Sequence, residues 1–185
     1  VRLFVALNLP DRTRHALWDA ISPLRDLDLP VSWVRPEGIH VTLKFLGEVE
    51  ESRQGELTTA LGAAAAGVRP LPLVLGGFGA FPAIARPRVL WVGIEPEPAL
   101  ELLQHGVERQ FAPLGFPTEA RTFHPHVTVG RARKDARPAA FAGLESRLER
   151  LSFAETVMVE SVDLMCSTLQ RGGAVYQVAH RERLS

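Results

Sequence analysis

Residues 40–47 read HVTLKFLG, and residues 124–131 read HPHVTVGR. Read as strands, each segment sends successive side chains to opposite faces. His40, Thr42 and Lys44 then share one side, and Val41, Leu43 and Phe45 the other. A proton carrier and a hydroxyl occupy the face that a solvated strand usually gives to unrelated polar residues. The six histidines and nine threonines predict roughly 0.3 His-x-Thr matches by chance, so two in matching apolar surroundings constrain the chain strongly. The motif threonines stand 86 positions apart (128 minus 42), close to half of the 185 residues. The simplest architecture is α+β: one bilobal domain over residues 1–185, with two pseudo-symmetric lobes each giving a His-x-Thr strand to a shared central cleft.

The remaining pattern fits that plan. RLFVALNL (2–9) reads as an opening strand, with Asp11 placed to cap a helix carrying Ala16, Leu17, Ile21 and Leu24. Pro23 ends or kinks that helix. VSWV (31–34) leads through Pro36-Glu37-Gly38 into the first motif. Residues 52–66 are Ala- and Leu-rich and predict a helix. LPLVLGGFGAFP (71–82) predicts a strand running into a Gly-rich bend, and RVLWVGIE (88–95) another strand. Residues 98–114 repeat Leu102, Leu103, Val107, Phe111 and Leu114 at helical spacing. A helix is expected around 138–148, and FAETVMVESVDLMC with AVYQVAHRERL predicts a two-stranded terminal hairpin. The looseness of the strand–helix alternation, with hairpin-like neighbours, favours α+β over a doubly wound parallel sheet.

Composition excludes several classes. No apolar run approaches the roughly 20 residues of a membrane span. VRLFVALNLP is too short and too alternating for a signal peptide, so a cytoplasmic, monomeric protein is the expectation. Cys166 has no partner for an internal disulfide and reads as a small buried residue. The formal net charge is zero, which argues against a general nucleic-acid coat. It leaves room for a local basic patch at Arg131, Arg133, Lys134 and Arg137. GGFGAFP lacks the Lys-Ser/Thr of a phosphate loop and is not GxGxxG, so neither ATP nor a dinucleotide cofactor is implied.

The doubled motif suits phosphoryl chemistry. Residues i and i+2 of a strand lie about 6.6–6.8 Å apart on one face, so one group can touch both imidazole and hydroxyl. Histidine can give or take a proton near neutral pH, and threonine can donate to a phosphoryl oxygen. With two such pairs facing each other, His40 and His126 can serve as acid and base while Thr42 and Thr128 hold the non-bridging oxygens. A rival reading makes His124 and His126 metal ligands of a metal-dependent hydrolase. The further ligands that it needs, in an HExxH or DxH cluster, are missing from the sequence. A third reading is a non-catalytic RNA- or nucleotide-binding module. His124 otherwise reads as a supporting residue, and His15, His105 and His180 as surface residues.

HVTLKFLG and HPHVTVGR resemble the paired HxTx motifs of the 2H phosphoesterase superfamily. With RLFVALNLP, WVRPEGIHVTLKFLGEV, RPRVLWVGI and RTFHPHVTVGR, the chain is similar to the bacterial RNA 2′,3′-cyclic phosphodiesterases, the 2′-5′ RNA ligase or LigT-like family. The landmarks span residues 1–131; the tail with Ser167 and Tyr176 fits less sharply. The resemblance implies two antiparallel sheets around a cleft, with helices outside. It implies metal-free hydrolysis of an RNA terminal 2′,3′-cyclic phosphate, or of a small cyclic nucleotide, to a 2′-phosphate, and reversible 2′-5′ ligation. It makes His40 and His126 the catalytic pair, Thr42 and Thr128 the phosphate binders, and Arg131 a further basic contact. His126 is assigned as base toward water and His40 as acid toward O3′. On a regular strand Arg131 would point away from His126 and Thr128, so the strand must end or bulge near Gly130. Among the aromatics Phe4, Trp33, Phe45, Phe81 and Tyr176, Trp33 is the expected base-stacking residue. Phe45 is expected in the core, and Lys44 at the cleft rim or in solvent.

Overall fold

The computed structural model describes residues 1–185. In chain order the elements are β1 (Arg2–Asn8), α1 (Asp11–Ala20), α2 (Ser22–Arg25), β2 (Val31–Trp33), β3 (His40–Glu48), α3 (Gln54–Ala65), β4 (Leu71–Ala83), β5 (Arg86–Ile94), α4 (Pro98–Phe111), β6 (His126–Ala132), α5 (Leu144–Glu149), β7 (Ala154–Val159), β8 (Ser161–Gln170) and β9 (Gly173–Arg183). The strands run in the spatial order β7-β4-β5-β6-β3-β1-β8-β9, all neighbours antiparallel, with β2 added alongside β6. The two expected sheets are therefore two four-stranded halves of one curled sheet. They join at the middle, where β3 meets β6 through the single pair Val41–Val127. Both motif strands are thus innermost in their halves. A continuous apolar cluster runs behind both, from Leu3, Val5 and Val41 through Leu73, Leu90 and Val127.

Helices cover the back of this sheet. In α4, Leu100, Leu103, Val107 and Phe111 repeat at helical spacing and are all buried. Leu102, expected on that stripe, is instead 72% exposed, and Leu100 takes its place. Glu97 caps α4 by accepting from the Ala99 amide, and Pro98 occupies the first turn, where its missing N–H costs nothing. α4 packs on β3 and on α3, and α3 reaches β8 and β9. Asp11 does not cap α1; Pro10 stands at the cap position and Asp11 begins the helix. The break at Pro23 appears as the boundary between α1 and α2.

Two departures from the sequence pattern matter for the architecture. The glycine pair of β4 does not end the strand. Leu75 pairs with Ile94 and Phe78 with Val92, so the extra residue is absorbed as an irregularity with Gly77 at φ +73°, a conformation open to glycine. The tail forms three strands, not two. FAETVMVESVDLMC breaks at Glu160: β7 before it pairs with β4, and β8 after it pairs with β1. That break carries the chain from one half of the sheet to the other. The β8–β9 hairpin matches the expected one and closes the outer edge.

Candidate active site

The two motif strands carry the same defect at the same place. In β3, Val5 pairs with Lys44 and Ala6 with Thr42, leaving Leu43 without a partner. In β6, Leu90 pairs with Gly130 and Trp91 with Thr128, leaving Val129 without one. Leu43 and Val129 are again 86 positions apart (129 minus 43). A one-residue bulge shifts the strand's phase, so two consecutive residues face the core and everything beyond changes sides. Leu43 and Lys44 are both buried, as are Val129 and Gly130. The fifth residue after each histidine then returns to the histidine's face: Phe45 in β3 and Arg131 in β6.

This bulge resolves the question of Arg131, which lies on the cleft side with His126 and Thr128. It also bears on two expectations drawn from simple alternation. Phe45 is not core but 65% exposed. Lys44 borders the cleft but is not solvated: it is 3% exposed, with Nζ donating to Glu108 of α4 at 2.7 Å and to the Pro117 carbonyl at 2.9 Å. The second Glu108 oxygen accepts from the Glu119 amide at 2.7 Å. This pair ties the segment between α4 and β6 to the back of β3.

At the seam, continuing the Val41–Val127 register by one residue sets His40 against Thr128 and Thr42 against His126. Opposed residues of an antiparallel pair lie on the same face, about 4.5–5.5 Å apart at Cβ. The four motif residues therefore form one cluster, related by an approximate two-fold axis through the seam. Each imidazole is fixed by its own backbone. His40 Nδ1 donates to the Gly38 carbonyl at 2.8 Å, and His126 Nδ1 to the His124 carbonyl at 2.7 Å. That selects the Nδ1–H tautomer and leaves Nε2 as the working nitrogen of each neutral ring. His40 Nε2 meets Thr42 Oγ1 at 2.9 Å, and the hydroxyl is the donor. Aromatic walls surround both rings: Phe4 and Tyr176 at 5.0 and 5.3 Å from His40, and Phe81 at 5.1 Å from His126.

Burial penalises the charged imidazole, so the His40 pKa falls to about 4, with Arg131 and Arg14 adding repulsion. His126 is lowered for the same first reason, again with Arg131 contributing. The unfolded His40, near 6.5, binds protons over a range in which the folded one does not. Stability is accordingly expected to fall as pH drops from about 6.5 to about 4, by up to about 3 kcal/mol from this group. Urea unfolding at pH 7 and pH 4.5 checks it: wild type should lose more stability than His40→Ala across that interval.

A cavity of about 670 Å³ opens beside the cluster and is lined by Thr42, His126, Thr128 and Arg131, with Phe45 on its wall. His40 does not line it and reaches it through Thr42. Arg88, Arg121, Thr122 and Phe123, which alternation and motif do not mark, also line it, together with His124. The run Arg121-Thr122 directly before the second motif was the available signal. Trp33 is not among the lining residues; its ring packs over Gly130, where a Cβ would lie 2.8 Å from Trp33 Cε3 and from Val31 Cγ1. Gly130→Ala is expected to destabilise the fold by about 1–3 kcal/mol, read from a thermal melt. His124 shows its side chain to the cavity and supports His126 through its carbonyl; no cluster of three or more His, Cys, Asp or Glu accompanies it. Cys166 is half-buried against the core rather than fully buried.

A sequence profile described as the 2′-5′ RNA ligase superfamily matches residues 13–169. The chain belongs to this superfamily. Relatives named RNA 2′,3′-cyclic phosphodiesterase include one from Methanothermobacter thermautotrophicus, 31% identical with 95% of each chain covered. Another, from Archaeoglobus fulgidus, is 32% identical, covering 96% of this chain and 97% of its own. Among solved structures, a protein from Thermus thermophilus superposes with TM-score 0.80 at 31% identity, covering 100% of this chain and 98% of that one. E. coli LigT complexed with 3′-AMP gives 0.79 at 26%, with the same coverage. Superfamily membership accords with the doubled motif, and the expected α+β fold with antiparallel sheets around a cleft is shared with these structures.

Proposed function

We propose that the protein opens RNA terminal 2′,3′-cyclic phosphates to 2′-phosphates by two-histidine acid–base catalysis that needs no metal. The observation that carries this reading is the two-fold cluster of His40, Thr42, His126 and Thr128 with both Nδ1 atoms tied to backbone carbonyls. His126 lines the cavity and its Nε2 has no protein partner, which suits it to take a proton from water. The water oxygen bonds to phosphorus opposite O3′, the P–O3′ bond breaks, and His40, entering the step protonated at Nε2, gives that proton to O3′ while His126 keeps the proton from water. Thr42, Thr128 and Arg131 hold the non-bridging oxygens. A 5′-hydroxyl in place of water would yield a 2′-5′ phosphodiester by the same steps, as the name of the superfamily suggests. Phe45, exposed on the cleft face, offers the terminal base a stacking surface.

A short RNA ending in a 2′,3′-cyclic phosphate, incubated with the protein in EDTA, tests the reading. The expected product is a 2′-phosphate. Product only after a divalent metal is added would favour a metal site at His124 and His126. Tight binding without any turnover would leave a nucleotide-binding module.

A further inference from the structure

We propose that a second cavity, adjoining the catalytic one, holds the RNA backbone on the 5′ side of the cyclic end. The inference rests on the reading that such an end is the substrate. This cavity, about 310 Å³, shares Pro82 and Arg88 with the first, so a chain can pass from one to the other without leaving the surface. Arg86, at the turn between β4 and β5, forms one wall. Ala136 and Pro138 form the other. They belong to the turn after β6, which is held by the Arg133 amide on the Pro30 carbonyl and the Ala136 amide on the Arg133 carbonyl. That turn exposes Lys134 and Arg137.

The arginines that line the two cavities have no carboxylate partner. Arg14, Lys44, Arg53 and Arg181 each have a carboxylate partner. Arg86, Arg88, Arg131, Arg133, Lys134 and Arg137 have none. Arg131 and Arg88 line the catalytic cavity, Arg88 and Arg86 line the second, and the turn that walls the second exposes Lys134 and Arg137 with one carboxylate, Asp135, between them. A polyanion whose first phosphate sits between the histidines extends its next phosphates along the path that these cations mark. Pro82, Pro87 and Pro138 add rigid apolar surface for sugars and bases. Single-stranded RNA supplies both features together.

The test compares a nucleoside 2′,3′-cyclic phosphate with a trinucleotide ending in the same group. The trinucleotide should show the lower KM. Its log KM should rise more steeply with log salt, by about 0.7 per internal phosphate contacted. In Arg86→Ala/Arg137→Ala the trinucleotide KM should rise on the order of tenfold and its salt slope should fall to that of the mononucleotide, which itself is turned over as before. Equal KM and equal slope for the two substrates in wild type would overturn the subsite while leaving the catalytic reading intact. Equal losses on both substrates in the variant would also overturn it. Should neither substrate be turned over, anisotropy of a labelled trinucleotide 3′-phosphate decides: weaker binding by the double variant upholds the path, and unchanged binding removes it.

Discussion

His126→Ala is expected to lower kcat on a cyclic-phosphate RNA by about 10²–10⁴-fold, with His40→Ala in the same range. Both variants should still fold, because neither imidazole belongs to the apolar core and each hydrogen-bonds to a carbonyl only two residues away. Single-turnover kinetics separates this loss from any change in binding. The pH profile adds a second readout. Burial lowers both imidazole pKa values, so in the free protein each ring is mostly neutral at pH 7. Turnover needs one ring charged and one neutral, so the profile of kcat/KM should be bell-shaped with both limbs below about 6.5. Retention of most turnover by both alanine variants would rule out the two-histidine mechanism.

The second large effect concerns stability, away from the chemistry. Glu108→Ala leaves the Lys44 ammonium buried behind β3 with the Pro117 carbonyl as its remaining partner. Breaking a buried pair from one side typically costs about 3–5 kcal/mol, because the surviving charge is uncompensated. Lys44→Met combined with Glu108→Leu should recover most of that loss, since an apolar replacement of both partners removes the stranded charge. Urea unfolding of the two single variants and the double variant measures the coupling. The Glu108 single variant also frees the Glu119 amide. The segment bearing Arg121, Thr122 and His124 should loosen, and KM should rise more than kcat falls.

The sequence located the four-residue cluster but misplaced what surrounds it, and the bulges explain both. His40, Thr42, His126 and Thr128 precede the bulge in their strands, so plain alternation places them correctly. Lys44 and Phe45 follow it, and alternation assigns them to the wrong faces. In HPHVTVGR a glycine beside the bulge advertises an irregularity; in HVTLKFLG the bulged residue is Leu43, whose side chain gives no such signal. The repeat itself holds the missing information, since a defect required after Thr128 to turn Arg131 inward implies one after Thr42. The strand break at Glu160 is illegible for a related reason. β7 and β8 are both rich in apolar and β-branched residues, and only the pairing partners, β4 and β1, distinguish them.

The two-fold relation across the Val41–Val127 pair has a chemical consequence. In the in-line displacement proposed here, the entering and departing oxygens occupy opposite apices of a trigonal bipyramid at phosphorus. The axis that exchanges His40 with His126 also exchanges those apices. In that proposal the duplicated residue types alone do not set a direction; the unlike surroundings of the two rings do, His126 lining the cavity and His40 reaching it through Thr42. A further asymmetry lies just past each bulge, where the repeat places an aromatic ring on one side and a guanidinium on the other. Under the proposed reading, Phe45 and Arg131 are the unlike pair that would bias which way round a nucleotide lies.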